Sequence, residues 1–264
     1  NYTSYSPLVR KRSIFLKPLS IFIEKKIFNS ATVIIAVSSF LKQQMIEKYR
    51  INEQKIIMLP NASDPNFFSP AMSVEKIQIE KLANGPIVGF VGGFYTWHGL
   101  DLLIKAFVRV LQNDSNSILV LIGDGPEKKR IENMVEELQI RDNVFFAGKV
   151  SYHSLPAWIS LFRVGVMPDS NNYGSPMKIF EYMAMGKPVV VPDYGPLRDA
   201  VEHGKEGFIF PKGNVEIMTS YINLLISNEE LYNKMSRSAR MIIVEKYNWD
   251  NIVNIILNYL QTSA

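Results

Sequence analysis

Short apolar runs rich in valine and isoleucine alternate with helix-like segments along almost the whole chain. The run at 32–37 (TVIIAV) predicts a strand, and a helix is predicted after it over 40–49, capped by Ser38 or Ser39. Further strands are predicted over 55–59, 87–91, 118–122, 144–146, 164–167, 189–191 and 208–210. Because parallel strands need crossover connections, this alternation predicts an α/β fold with a parallel sheet covered by helices on both faces.

A polar stretch, first rich in proline, asparagine and serine, interrupts the alternation at 64–86. We interpret its first part, 64–73 (DPNFFSPAMS), as a linker with a domain boundary near residue 65. The part before it contains only two predicted strands, so it resembles the tail end of a doubly wound domain. The helices predicted after it are 100–111, 127–138, 155–161, 176–185, 215–227, 229–245 and 249–261.

The chain contains no cysteine, which excludes disulfides, cysteine-based zinc sites and a thiol nucleophile and fits a reducing compartment. Its three histidines, His98, His153 and His203, are far apart in sequence, so a histidine metal cluster is not expected. No Asp-x-Asp pair lies in a predicted site loop. We therefore expect no metal.

The charge is uneven: residues 1–60 contain ten basic and three acidic side chains, net +7, which leaves −3 for the rest of a chain of net +4. No basic recognition helix or aromatic-lined basic strand is present, so nucleic acid is not an expected partner. The basic segment that includes Ile21 to Ile23, Ile27 and Phe28 either contacts an acidic membrane surface or presents a solvated face of an inward-packed helix.

The stretch that begins at Ser175 (SPMKIFEYMAMGKPVVV) predicts a buried helix over 176–185. Ser175 is expected to cap it and Pro176 to be its first residue. Lys178 and Glu181 are its only charges, and they either form an ion pair or bind a ligand. Since burying an ion pair can cost more than the attraction repays, we favour Glu181 as an acceptor for sugar hydroxyls and Lys178 as a partner of phosphate oxygens.

Three further loops follow predicted strands. Gly92 to Gly99 (GGFYTWHG) contains paired glycines that allow close backbone approach, and its His98 either donates to a phosphate or is an ordinary polar residue before a helix. The loop 123–126 (GDGP) predicts a tight turn, and 146–150 (FAGKV) can present backbone groups to a planar base.

Together these stretches resemble the C-terminal half of the retaining glycosyltransferases of family 4, which have the GT-B fold. The likeness runs in order from about residue 30 to the end, through IIAVSSFLKQQM, IIMLPNASDPNFFSP, IVGFVGGFYTWHGLDLLIKAF, LVLIGDGPEKKRIENM, NVFFAGKV, LPAWISLFRVGVMPDS, the stretch from Ser175, and EGFIFPKGNVEIM. It implies two Rossmann-like domains. These are the tail of an incomplete acceptor-side N-terminal domain over 1–64 and a nucleotide-sugar-binding domain over 65–245, followed by a helix in 246–264 that crosses back to the first domain.

The resemblance also implies a donor site. Glu181 matches a glutamate that holds the nucleotide ribose, the loop before the helix matches a diphosphate loop, the stretch 148–150 matches a base-contacting segment, and the loop 92–99 meets the diphosphate from the other side. The residues at the family's donor-binding positions are Glu181, Gly174, Ser175, Pro176, Gly92, Gly93, Tyr173, Gly148, Lys149 and Val150.

Three positions depart from the family pattern. The family often has a first glutamate eight residues before the second, which contacts the donor sugar, and here that position is Tyr173. The usual arginine and lysine of the glycine loop correspond to Gly93 and His98. The resemblance therefore leaves Lys178 and His98 as the predicted catalytic groups that help the diphosphate leave.

The implied activity is that of a hexosyltransferase-type glycosyltransferase (EC 2.4) in polysaccharide or glycolipid biosynthesis. It would move a sugar from a UDP- or GDP-linked donor to a glycan or lipid-linked acceptor with retention, without a cofactor, in the cytoplasm or peripherally at the inner face of the membrane. This chain is expected to hold the donor site, to lack the acceptor site and to be inactive alone.

Two alternatives stay open. The first is a non-catalytic sugar-nucleotide-binding subunit or degenerate homologue, which Tyr173 and the missing Arg/Lys pair favour. The second is a nondehydrogenating epimerase, a class expected to have more histidines and acids in its site than this sequence offers.

Overall fold

The computed structural model of the 264-residue chain describes residues 17–71, 82 and 85–262. Residues 1–16 of the predicted N-terminal part and residues 72 and 73 of the predicted linker lie outside the described residues. The main sheet has six parallel strands in the spatial order β5-β4-β3-β6-β7-β8. These strands are β3 (Ile87–Val91), β4 (Ile118–Ile122), β5 (Val144–Gly148), β6 (Val164–Val166), β7 (Val189–Pro192) and β8 (Gly207–Phe210).

A separate parallel pair, β1 (Ile34–Ala36) and β2 (Ile56–Met58), precedes the main sheet. The helices of the described residues are α1 (Lys17–Ser30), α2 (Ser39–Tyr49), α3 (Leu100–Asn113), α4 (Lys128–Glu137), α5 (Leu155–Ser160), α6 (Met177–Ala184), α7 (Gly195–Arg198), α8 (Val215–Ser227), α9 (Glu229–Glu245) and α10 (Trp249–Thr262). The predicted strands and helices are confirmed, with ends that differ by one or two residues. The short helix α7 was not predicted, and α1 was expected only as one alternative for the basic segment, without bounds.

Both faces of the main sheet are covered, as the apolar strands predict. In β4, Leu119 and Leu121 join a core cluster with residues of α3, α4 and α8. The alternate residues Val120 and Ile122 join a second cluster with residues of α6 and α9 on the opposite face. Strands buried on both faces read as continuous apolar runs, which explains why the sequence signal was strong.

The strand order reverses between β3 and β6. Strands β3, β4 and β5 follow one another toward one edge of the sheet, whereas β6, β7 and β8 follow one another toward the other edge. In open α/β sheets such a switch point leaves a crevice at the carboxyl ends of the strands, where ligands bind.

The small sheet and α2 lie against the main body. Ser38 caps α2 as predicted, because its hydroxyl accepts the Leu41 N–H (3.3 Å). The next residue, Ser39, donates its N–H to Asp199 Oδ2 (2.7 Å) at the end of α7. The N-terminal part of the chain is thus tied to the segment between β7 and β8 of the main sheet.

Helix α1 exposes Leu19, Phe22, Ile23 and Ile27. In the part of the chain that the structure describes, no helix is long and apolar enough to cross a membrane. Peripheral membrane contact through this segment stays a prediction.

Candidate active site

The predicted site loops meet at the switch point of the main sheet. The loop 92–99 leaves β3 and the loop 167–176 leaves β6, and these two strands are neighbours. The loops after β4 and β5 lie at the same edge because the strands are parallel. The fold therefore gathers backbone from four loops at one end of the sheet.

Backbone hydrogen bonds join three of these loops. The Gly92 N–H donates to the Ile122 carbonyl (2.9 Å), and the Gly123 N–H donates to the Gly148 carbonyl (2.8 Å). Gly92 and Gly148 have φ angles of +154° and +69°, which L side chains rarely adopt. A Cβ at Gly92 would also overlap Lys178 Nζ, so this glycine makes room for the ammonium group.

Tyr182 fixes α6, the helix that carries Lys178 and Glu181, to the end of β3. Its ring is fully buried and its hydroxyl accepts the Val91 N–H (2.6 Å). Gly165 of β6 leaves space for the ring, because a Cβ there would overlap it. Burial raises the pKa of Tyr182, so the hydroxyl stays protonated. The sequence does not single out this residue, since it reads as one more apolar position of a buried helix.

The start of α6 differs from the prediction. Pro176, expected as the first helical residue, is the N-cap (φ −73°, ψ 119°), and no described side chain caps the first turn. Ser175, the predicted cap, uses its hydroxyl to accept the Asn61 N–H (3.0 Å). The predicted cap is therefore wrong because Asn61 competes for the hydroxyl. The positive end of the helix is left for another acceptor, such as an anion.

The loop before α6 is folded around Asn171. Its Oδ1 accepts the N–H groups of Tyr173 (2.8 Å) and Gly174 (2.9 Å). The Tyr173 ring packs edge-on against Phe40 of α2, with 5.4 Å between ring centres. The residue at the family's first-glutamate position thus contacts the N-terminal part of the chain.

Lys178 points its ammonium group into the site. Its Nζ lies 4.5 Å from the centre of the Phe90 ring, is buried, and has no hydrogen-bond partner among the residues described. Burial lowers the pKa of Lys178 to about 8, although the charge of Glu181 opposes this shift. An enclosed ammonium without an acceptor costs free energy. Its surroundings suit an anionic ligand that supplies the acceptor.

Glu181 is only 7% exposed. The ion pairs of the described residues do not include Lys178 with Glu181, so the ion-pair alternative does not describe this structure. Burial raises the pKa of the Glu181 carboxyl, and the charge of Lys178 opposes that rise. A carboxylate in this position can accept hydrogen bonds from a hydroxyl-rich ligand.

His98 is held by the glycine loop itself. Its Nδ1 lies 2.5 Å from the Gly93 carbonyl oxygen, so Nδ1–H donates and Nε2 carries the lone pair. Burial and then the charge of Lys178 lower the pKa of His98 to about 4, although the bond to Gly93 opposes the shift. At neutral pH the imidazole is therefore uncharged. It can donate to a phosphate only after Nε2 takes up a proton.

The stretch 148–150 presents backbone more than side chains. A Cβ on Gly148 would meet no atom within 4 Å, so the space beside it is open. Lys149 is exposed, and Val150 packs against the core cluster on the α6 face. Contact with a planar base would fall to the backbone groups here.

Tyr152 lies beside the predicted site and was missed. Its ring stacks on Phe67 of the linker, with 5.0 Å between centres and 8° between planes, and it is 51% exposed. Desolvation raises the pKa of Tyr152, and the charges of Glu181 and Asp64 add to the rise, so the hydroxyl lies within electrostatic reach of both. No sequence pattern joins the linker to this loop.

The structure brings Gly92, His98, Lys178 and Glu181 together, whereas it turns the Tyr173 side chain and the Ser175 hydroxyl toward the N-terminal part. Among the described residues, no group of three His, Asp or Glu side chains is arranged to hold a metal ion.

Comparison with known proteins places this geometry in a family. Residues 73–241 match the glycosyl transferases group 1, and residues 3–67 match Glycosyltransferase Family 4. An uncharacterized glycosyltransferase of Haemophilus influenzae is 29% identical over 83% of this chain and 58% of its own length. The poly(ribitol-phosphate) alpha-N-acetylglucosaminyltransferase of Staphylococcus aureus is 30% identical over 73% of this chain and 38% of its own length.

Among solved structures, HepE of Anabaena in complex with UDP and glucose has a TM-score of 0.78 at 20% identity, covering 92% of this chain and 67% of that one. The α/β fold is thus that of the GT-B glycosyltransferases. The chain spans 58% and 64% of the length of the first two curated relatives. Since the group 1 match covers more than half of the chain, the chain belongs to the glycosyl transferases group 1 family.

Proposed function

We propose that the protein is a retaining glycosyltransferase that moves a hexosyl group from a UDP- or GDP-linked donor to a glycan or lipid-linked acceptor. This chain carries the donor site. The observation that carries the proposal is the buried ammonium of Lys178, which has no partner in the described residues and lies on the first turn of the uncapped helix α6. That arrangement suits a diphosphate.

The neighbouring residues would divide the donor among them. Glu181 would accept hydrogen bonds from the ribose hydroxyls, because its carboxylate is buried and forms no ion pair with Lys178. Lys178 and the first-turn N–H groups of α6 would hold the diphosphate, and the backbone of 148–150 would face the base. HepE of Anabaena, which has the same fold, was solved in complex with UDP and glucose, and this supports a nucleotide-linked donor.

Chemically, the sugar would leave a diphosphate whose growing negative charge Lys178 and the helix dipole stabilise. The bond from the anomeric carbon to the phosphate oxygen breaks, and the acceptor hydroxyl oxygen bonds to that carbon from the same face. The acceptor proton passes to the leaving diphosphate. His98 would take up a proton as the diphosphate binds and would then donate from Nε2.

A second candidate is a sugar-nucleotide-binding subunit without catalysis. Tyr173 favours it, because this residue replaces a sugar-contacting glutamate and packs on Phe40 instead. Both candidates require a donor site, and they differ in whether the full-length protein turns over.

The test is calorimetric titration with UDP, GDP and their common sugar conjugates. Glu181→Gln should weaken binding by about 1.5–3 kcal/mol, the value of a charged hydrogen bond. Glu206→Gln is the matched control, because this carboxylate is also buried (2% exposed) but precedes β8, at the opposite end of the sheet. Equal effects of the two variants, or no nucleotide binding by the folded wild type, would contradict the proposal. Turnover of a bound donor by the full-length protein then separates the two candidates.

A further inference from the structure

Asn61, which follows β2, holds the loop that leads into α6. It lies between β2 and the linker and donates two hydrogen bonds to one residue, Ser175. Its N–H donates to the Ser175 hydroxyl (3.0 Å), and its Nδ2 donates to the Ser175 carbonyl (2.5 Å). Ser175 is 6% exposed and directly precedes the N-cap of α6. These two bonds fix both the side chain and the backbone of the residue that feeds the helix.

The opposite end of α6 is joined to the linker through Arg240. Arg240 of α9 donates to the carbonyl of Ala184, the last residue of α6 (2.7 Å), and to the linker carbonyls of Phe68 (2.8 Å) and Pro65 (2.8 Å). Residues 61–68 are therefore connected to both ends of α6. Asn61 bonds to the residue before its N-cap, and Arg240 connects Pro65 and Phe68 to its last residue. Asn61 is the contact at the end that carries Lys178.

We propose that Asn61 is a positioning residue that aims the first turn of α6 at the donor diphosphate. The inference rests on the proposed function and names a residue outside the donor contacts. Lys178 Nζ and the first-turn N–H groups must converge on the same phosphate oxygens, and a small displacement of the loop would separate them. Because both of these hydrogen bonds go to Ser175, Asn61 would act through the direction of the helix.

Asn61→Ala removes the Nδ2 donor and leaves the Ser175 carbonyl without it. Ser175→Ala removes the second bond, which keeps the test available if one variant fails to fold. In both variants we expect the affinity for the nucleoside diphosphate to fall about tenfold, roughly the effect of one lost hydrogen bond. The affinity for the nucleoside alone should stay the same, because the base and ribose contacts lie outside this loop.

The experiment is calorimetric titration of the full-length protein with UDP and uridine, and with GDP and guanosine. Asn143→Ala is the matched control, since its Nδ2 also donates to two backbone carbonyls, of Ser115 (2.9 Å) and Ser117 (3.1 Å), but at the far end of the sheet. The expected result is a lower diphosphate-to-nucleoside affinity ratio in Asn61→Ala and Ser175→Ala alone.

An unchanged ratio in both variants, with wild-type binding intact, overturns the positioning role and leaves the proposed function in place. The same change in Asn143→Ala also overturns it, because the effect would then reflect general loosening. Failure of the folded wild-type protein to bind either nucleotide overturns the proposed function itself.

Discussion

Lys178 and Lys187 are two lysines whose ammonium groups are enclosed in different ways. The pKa of each is lowered to about 8, mainly by burial. The charge of Arg163 adds to the shift of Lys187, whereas the charge of Glu181 opposes the shift of Lys178. Lys187 donates to the Ser160 carbonyl (2.7 Å), whereas Lys178 Nζ has no acceptor in the described structure. The Lys187 charge contributes to the stability of the fold, whereas the Lys178 charge costs free energy that a ligand can offset.

Replacing each lysine by methionine separates these roles. Lys178→Met should leave the free energy of unfolding unchanged or raise it, because an unpartnered buried charge is removed. Lys187→Met should lower it by about 1 kcal/mol, since a hydrogen bond is lost. Nucleoside diphosphate binding should weaken at least tenfold in Lys178→Met only. Urea unfolding and calorimetry measure both quantities, and a marked loss of stability in Lys178→Met would contradict this assignment.

His98 predicts a pH dependence of stability. Its pKa is about 4 in the folded chain, whereas an ordinary histidine has 6.5. Between these values the unfolded chain binds a proton that the folded chain does not, so stability falls as pH drops from about 6.5 to about 4. His98→Asn should reduce the slope by up to ~1.4 kcal/mol per pH unit in this window. Unfolding curves across the pH series measure it, and equal slopes in both proteins would rule the shift out.

At the scale of elements, the start of α6 depends on a glycine in another loop. Gly92 has φ +154°, and a Cβ there would overlap Lys178 Nζ, the end of a flexible side chain that must then move away. Gly204 also has a left-handed φ of +85°, but a Cβ on it would meet nothing within 4 Å. The two glycines therefore share a φ region that would strain an L residue, and they differ in what an added Cβ would touch.

Alanine at each position tests this difference. Gly92→Ala and Gly204→Ala should both lose about 1–2 kcal/mol of stability, because an L residue is forced into the left-handed region. Only Gly92→Ala should also lose affinity for a nucleoside diphosphate relative to its nucleoside, because the ammonium group is displaced. Thermal unfolding and calorimetry report the two effects, and an unaffected affinity in Gly92→Ala would show that Lys178 is not the phosphate partner.

The elements could be predicted from the sequence because their signals are local. The strand 118–122 and the helix 229–245 have the predicted ends, since apolar runs and flanking caps lie within a few residues. The cap of α6 was wrong because the partner of Ser175 is Asn61, 114 positions away. The anchoring by Tyr182 could not be predicted for the same reason: its acceptor role and the space left by Gly165 exist only once β3, β6 and α6 are packed.

At the scale of the whole molecule, the small sheet depends on the end of the chain. Ile252 of α10 is 8% exposed and packs with Leu59 and Ala62, which follow β2. The apolar clusters around the small sheet contain few buried residues, whereas the main sheet is buried between two large clusters. Local opening should therefore begin at β1 and β2.

Ile252→Ala should loosen the small sheet alone. Removing the buried side chain costs about 2 kcal/mol or more and should speed amide exchange in 34–36 and 56–58, while 189–192 in β7 stays protected. Val253→Ala is the matched control on the same helix, because Val253 is 50% exposed and should change neither region. Hydrogen exchange by mass spectrometry resolves these peptides. Equal acceleration in both sheets would mean that the two unfold as one cooperative unit, and α10 would then stabilise the main sheet as strongly as it stabilises the small one.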